Sequence, residues 1–150
     1  MKFLIVNGVN LNLTGLRERS VYGRASLAEI NDAIAAHCAK NGDEAEFYQS
    51  NEEGALCGKL HEAFLKRSCD AILLNAGAYS HYSYALRDAN ASIELPVAEV
   101  HMSNICAREG FRSRSVLSEV CRGVVFGFGA ASYLAAMEGL KRAAEQGEIK

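Results

Sequence analysis

The chain has 150 residues, 49% hydrophobic and 23% charged, with one Pro and no Trp, which fits one folded domain over 1–150 and excludes extensive disorder. Sixteen Lys and Arg against eighteen Asp and Glu give a formal net charge of -2, so the basic field that non-specific nucleic-acid binding requires is missing. A chain of this size buries roughly 70% of its unfolded surface, so a core is expected without disulfides or structural metal.

Phe3, Leu4, Ile5 and Val6 form a continuous apolar run that stops at Asn7-Gly8, the pattern of a strand buried on both faces and ending in a loop. The run is too short for a signal segment or a membrane span, so the sequence reads as cytoplasmic with no membrane partner. Ser26 followed by Glu29 predicts a capping box, and Ile30, Ala33, Ile34 and His37 continue at helical spacing to Asn41-Gly42. Residues 45–48 alternate as a weaker strand. A helix is predicted over 54–68, with Leu56, Leu60, Phe64 and Leu65 on one face. A buried strand at 71–74 leads to a third helix over 80–90. Strands at 97–100 and 124–126 follow, and a last helix covers 130–146, with Tyr133, Leu134, Met137, Leu140 and Ala144 as its stripe and Gly147 beyond it. The pair Gly127 and Gly129 is too short for a dinucleotide fingerprint and reads as close strand-to-helix packing.

Strands alternating with helices, without repeat or linker, predict an α/β fold: an open, doubly wound, five-stranded parallel sheet with helices on both faces. Ligands bind such sheets outside the strand carboxyl ends, at the switch point of the strand order. Cys38, Cys57, Cys69, Cys106 and Cys121 are odd in number and never spaced as C-x-x-C, so free thiols in a reducing compartment are expected. Cys106 reads as a small buried hydrophobe without a chemical role.

Three loops at strand carboxyl ends carry the chemistry. The first, 7–23, is far longer than the usual connection of two to six residues and holds Arg17, Arg19 and Tyr22, suited to holding an anion and ionising a phenol; a plain solvated loop is the alternative. The second, Asn75-Ala76-Gly77-Ala78-Tyr79-Ser80-His81, enters a helix whose first amides form an anion site, or is merely a turn. In the third, period two puts Glu99 and His101 on one face of a strand end, where a carboxylate fixes the tautomer of an imidazole and supports its charged form. A metal held by Glu99, His101 and His81 is the rival reading.

Together these segments resemble the type II 3-dehydroquinate dehydratases, small flavodoxin-like enzymes of aromatic biosynthesis and quinate breakdown. The resemblance rests on 7–13, Arg17 to Gly23, Gln49 to Gly54, Asn75 to His81, Ala85 to Asp88, Glu99 to Asn104 and Ala107 to Arg112, in order along nearly the whole chain. It implies dehydration of 3-dehydroquinate to 3-dehydroshikimate by acid–base chemistry through an enolate, with no cofactor and no metal. In that family the residue matching Tyr22 removes the proton beside the ketone and the one matching Arg17 keeps it ionised. Ionising a phenol near neutral pH requires about 4 kcal/mol, which one guanidinium at about 4 Å supplies at an effective dielectric near 20. Asn10 then matches the enolate-stabilising residue, His101 the acid for the departing hydroxyl, and Glu99 its orienting carboxylate. Asn75, His81, Asp88, Met102, Ser103 and Arg112 match the substrate-positioning residues. The family also implies a homo-oligomer, a dodecamer of trimers in which the Asp matching Asp88 crosses a subunit interface.

The sequence departs from the family pattern at Val9 and Arg19, where prolines are usual, at Glu52 and Cys106, where His is common, and at Gly110, where Glu is common. Two missing prolines predict a looser first loop. A competing class is a catalytically impaired, flavodoxin-like module that binds a small anion. A Schiff-base route is disfavoured because Lys2, Lys40, Lys59, Lys66, Lys141 and Lys150 all lie at termini or on helices, away from the three loops.

Overall fold

The structure, a computed structural model, describes residues 1–16 and 25–149. Five parallel strands, β1 (Lys2–Asn7), β2 (Glu44–Gln49), β3 (Ala71–Asn75), β4 (Val97–His101) and β5 (Gly123–Phe126), form one sheet in the order 2-1-3-4-5. The helices are α1 (Leu27–Asn41), α2 (Glu53–Lys66), α3 (Tyr84–Ala91) and α4 (Ala131–Glu145). The doubly wound fold expected from the alternation of strands and helices is therefore present.

Side-chain alternation along β1 explains the layering. Phe3 and Ile5 point to one face and join Ile30, Ile34 and Cys38 of α1 with Tyr133, Met137 and Leu140 of α4. Leu4 and Val6 point to the other and join Leu56 and Leu60 of α2 with Leu86 and Ala89 of α3. A central parallel strand is buried on both faces, which is why 3–6 reads as an unbroken apolar run. Ser26 closes the predicted capping box with Glu29 at the start of α1, and Gly42 ends the helix in the left-handed region at φ 69°.

Two expectations need correction. The third helix does not begin at Ser80: Gly77–His81 is a 3-10 turn, and the α-helix starts at Tyr84 behind Ser83, whose hydroxyl accepts from the Leu86 amide. That cap satisfies an amide that an anion would otherwise have used. Gly127 and Gly129 adopt φ 94° and 60°, and a Cβ on Gly129 would meet nothing within 4 Å. They serve a left-handed backbone, not close packing.

At the switch point between β1 and β3 the two following loops meet backbone to backbone. The Gly8 amide donates to the Asn75 carbonyl at 2.7 Å, and a Cβ on Gly8 would lie 2.3 Å from the Ala76 carbonyl oxygen. Gly77, at φ 62°, presses likewise on the Val9 carbonyl, 2.6 Å from where its Cβ would sit. Gly8→Ala is therefore expected to destabilise by about 3 kcal/mol, the upper range of overpacking, against about 1 kcal/mol for Gly42→Ala, where only the backbone conformation resists a side chain. Thermal unfolding of the two variants checks this; equal losses would contradict the close approach.

Candidate active site

The carboxyl ends of β1, β3 and β4 open on a cavity of about 150 Å³ lined by Asn10, Asn75, His81, His101, Met102, Ser103, Arg108 and Arg112, among others. Its floor is a buried polar chain. Asn75 Nδ2 donates to the Tyr133 hydroxyl at 2.7 Å, and that hydroxyl donates to Asn7 Oδ1 at 2.6 Å. Tyr133 is fully buried on α4, and burial pushes its hydroxyl well above the usual phenol range, so it remains neutral and able to donate. Asn75 is thereby held from beneath, with its Oδ1 accepting from the Gly77 amide at 3.4 Å.

Period two along β4 brings Glu99 and His101 together as expected. The carboxylate can only accept, so His101 Nε2 donates to Glu99 Oε1, at 2.7 Å, and Nδ1 is the ring nitrogen not committed to the carboxylate. Glu99 is completely buried, and the hydroxyls of Ser115 and Ser118 donate to its two oxygens, each at 2.5 Å. Burial pushes the Glu99 carboxyl up, but the hydrogen bonds from His101, Ser115 and Ser118 outweigh it and leave the group below its ordinary value of 4.5. A buried carboxylate with three donors is an anion fixed in place.

The second site histidine, His81, has Nδ1 2.7 Å from the Arg114 carbonyl; a carbonyl only accepts, so Nδ1 carries the proton and Nε2 is the uncommitted nitrogen. With Glu99 engaged by serines and His81 tied to backbone, the rival metal reading loses its ligand set, and the described residues contain no group of three His, Cys, Asp or Glu placed to hold a metal ion. Asn10 sits at φ 64°, its amide donating to Asn51 Oδ1 at 2.9 Å. Met102 is buried in the cavity wall beside Ser103. Arg112 reaches the cavity but pairs with Glu109, whose other oxygen lies 3.7 Å from Arg108.

Not every candidate converges on this cavity. Asp88 is exposed on α3 and is not among the lining residues. Tyr22, Arg17 and Arg19 lie outside the described residues. Cys106 is exposed, which overturns its reading as a buried hydrophobe: a 3-10 turn at Ile105–Ala107, capped by Asn104, turns it outward. The sequence reading missed Tyr133, Ser115, Ser118 and Arg108. Only Arg108 carried a signal, as the first cation of the motif that ends at Arg112. A serine gives no sign that it faces a buried acid until the chain is folded.

The family model for class II dehydroquinases matches residues 1–141. The chain is 46% identical over 140 residues to a 3-dehydroquinate dehydratase of Caldicellulosiruptor bescii, covering 93% of this chain and 96% of that one. It is 49% identical over 146 residues to a 3-dehydroquinate dehydratase of Bacillus mycoides, covering 95% and 99%. Among solved structures it is similar to a type II dehydroquinase of Butyrivibrio crossotus, with TM-score 0.91 and 44% identity over 94% of this chain and 97% of that one.

Two predictions follow from the buried polar groups. Tyr133→Phe leaves Asn7 Oδ1 and Asn75 Nδ2 without their shared partner, and an orphaned buried polar group costs about 1–3 kcal/mol, so a fall in melting temperature is expected; no fall would contradict the chain described. For Glu99 the folded value is depressed, so its contribution to stability is complete above the ordinary 4.5 and is lost as pH falls through the lower folded value. The melting difference between the native chain and Glu99→Gln should therefore shrink on acidification below 4.5; a difference that grows there would reverse the sign.

Proposed function

The chain belongs to the class II dehydroquinase family, and from that membership we propose that it dehydrates 3-dehydroquinate to 3-dehydroshikimate, a lyase step of the shikimate pathway, in the cavity above β1, β3 and β4. The observation that carries the reading is the His101–Glu99 pair: an imidazole in the cavity wall whose partner is a buried, hydrogen-bonded carboxylate. A fixed carboxylate behind an imidazole holds its tautomer and its orientation, and a leaving hydroxyl requires an acid held in place in that way.

In this reading the reaction divides between two parts of the site. Tyr22, kept ionised by Arg17, takes the proton from the carbon beside the ketone. The electron pair moves into the carbonyl to give an enolate, which Asn10 stabilises. Collapse of the enolate breaks the carbon–oxygen bond, and His101 protonates the departing hydroxyl as water, so one proton is removed and one is returned. Asn75, His81, Met102, Ser103 and Arg112 hold the substrate; all five line the cavity and supply donors and an apolar wall around it. No metal enters the scheme, since the oxygens of Glu99 are already engaged by His101, Ser115 and Ser118.

The assembly proposed is a dodecamer of trimers, with Asp88 reaching a neighbouring subunit's cavity. Its support is that Asp88 is exposed on α3, outside its own subunit's cavity, on a segment that also exposes Tyr82 at 59% and Tyr84 at 71%. Light scattering should give a mass twelve times that of the chain, and a fully active monomer would sink the assembly. The activity is tested by ultraviolet detection of the conjugated enone product, using chelator-treated protein. Turnover by the native chain with losses of about 10²-fold or more in Tyr22→Phe and His101→Ala supports the scheme. Full activity in His101→Ala would remove its acid, and no turnover by folded, oligomeric native protein would favour a small-anion binding module.

A further inference from the structure

The segment between the cavity wall and β5 reaches one histidine of the site directly and the other through Glu99. The Arg114 carbonyl takes the Nδ1 proton of His81. One residue later the Ser115 hydroxyl donates to Glu99 Oε1, the same oxygen that His101 uses, and Ser118 donates to Glu99 Oε2. The segment is itself pinned to the loop after β3, because the Val116 amide donates to the Ser80 carbonyl at 2.8 Å, and Leu117 between the two serines is fully buried. Ser115 is further fixed by accepting from the Leu117 amide at 3.1 Å, which orients its one hydroxyl proton toward the carboxylate.

We propose that Ser115 and Ser118 are positioning residues of the reaction: their hydroxyls keep Glu99 as the carboxylate and so determine which nitrogen of His101 is presented to the substrate. This deepens the acid role given to His101 above and rests on it. A carboxylate at zero exposure cannot be held by one imidazole alone without a strong pull toward a neutral pair, in which the proton passes from nitrogen to oxygen. Such a pair would place a carboxylic acid beside a neutral ring and remove the charge behind the acid catalyst. Two neutral hydroxyl donors stabilise the anion without adding a competing positive charge, so the imidazole is the group left to carry the proton.

Among the described residues, the side chains that act on Glu99 are His101, Ser115 and Ser118. On the β5 side its titratable neighbour is Cys121, whose thiol burial and the Glu99 charge push up to about 12 and whose Sγ accepts from Asn90 of α3 at 3.2 Å. Arg87 of α3 is engaged by Glu119. His101 shares the cavity with His81 from the loop after β3 and with Arg108 and Arg112, both facing Glu109.

The test compares Ser115→Ala, Ser118→Ala and Ser118→Thr in the intact assembly. Loss of a hydrogen bond to a buried charge is worth about tenfold or more. Each alanine variant is therefore expected to lower kcat by about tenfold, to leave KM within about twofold, and to move the Glu99-dependent limb of the pH–rate profile upward by about one pH unit. Ser118→Thr, which keeps the hydroxyl, should restore both. In infrared spectra followed as the pH is lowered, the band of the protonated buried carboxyl, assigned by its loss in Glu99→Gln, should appear about one pH unit higher in the alanine variants than in the native chain. An unmoved limb and a carboxyl band that appears at the same pH as in the native chain, with or without a lower melting temperature, would overturn the proposal and leave the serines merely structural. The infrared reading needs no turnover, so it still decides this point should the native chain fail to dehydrate 3-dehydroquinate.

Discussion

The arrangement depends on one buried charge. Glu99 lies at zero exposure near the carboxyl end of β4, where an unpaired carboxylate would take up a proton or unfold its surroundings. Its partners come from two stretches of chain: His101 two residues on along the same strand, and Ser115 and Ser118 from the segment that returns toward β5. Satisfying that anion fixes the imidazole edge, closes the segment over the α3 face of the sheet, and aligns the Arg114 carbonyl with His81. Site geometry and packing are thus one constraint: the group that holds the His101 imidazole also anchors the segment that returns toward β5.

The fold supplies the place for this. A parallel sheet ordered 2-1-3-4-5 reverses direction between β1 and β3, and the loops leaving those strands diverge to opposite faces above a crevice. Here they first touch, Gly8 against Ala76 and Gly77 against Val9, at separations that exclude any Cβ. That contact sets the height of Asn75 and Asn10 over the sheet. Gln49 at the end of β2 and Asn51 in the loop after it brace the contact from the other side: Gln49 Nε2 donates to the Gly8 carbonyl and to Asn51 Oδ1, which also receives the Asn10 amide. Asn10 can hold its left-handed backbone because its amide is captured in this way, and Asn is among the residues that tolerate that conformation.

Much of this was legible before any coordinates. The unbroken apolar runs of β1 and β3 and the capping box before α1 are strong local signals, and their alternation specified the layers. Glu99 and His101 were paired from a period of two alone. Legibility failed where partners are distant in sequence. Tyr133 reads as one more member of a helical apolar stripe, and only the folded chain brings its hydroxyl between Asn7 and Asn75. Ser115 and Ser118 sit in a polar stretch without periodicity. The start of α3 is hard to read because Ser80 and Ser83 are both plausible caps; Gly77–His81 forms a 3-10 turn, and Ser80 is buried with no partner for its hydroxyl among the described residues. Cys106 was misjudged because composition favours burial of a free thiol, whereas the local Asn104 cap decides its direction.

In the proposed reaction the proton is removed by Tyr22 and returned by His101, so the two half-reactions should be separable. Incubating 3-dehydroquinate with His101→Ala in deuterated water, and following the carbon beside the ketone by mass spectrometry and proton resonance, tests that division directly. The account predicts that this variant incorporates deuterium into unreacted substrate while forming almost no enone, because base and enolate stabilisation survive without the acid. Absence of exchange in folded protein, or undiminished enone formation, would contradict the assignment of His101 to the second proton transfer.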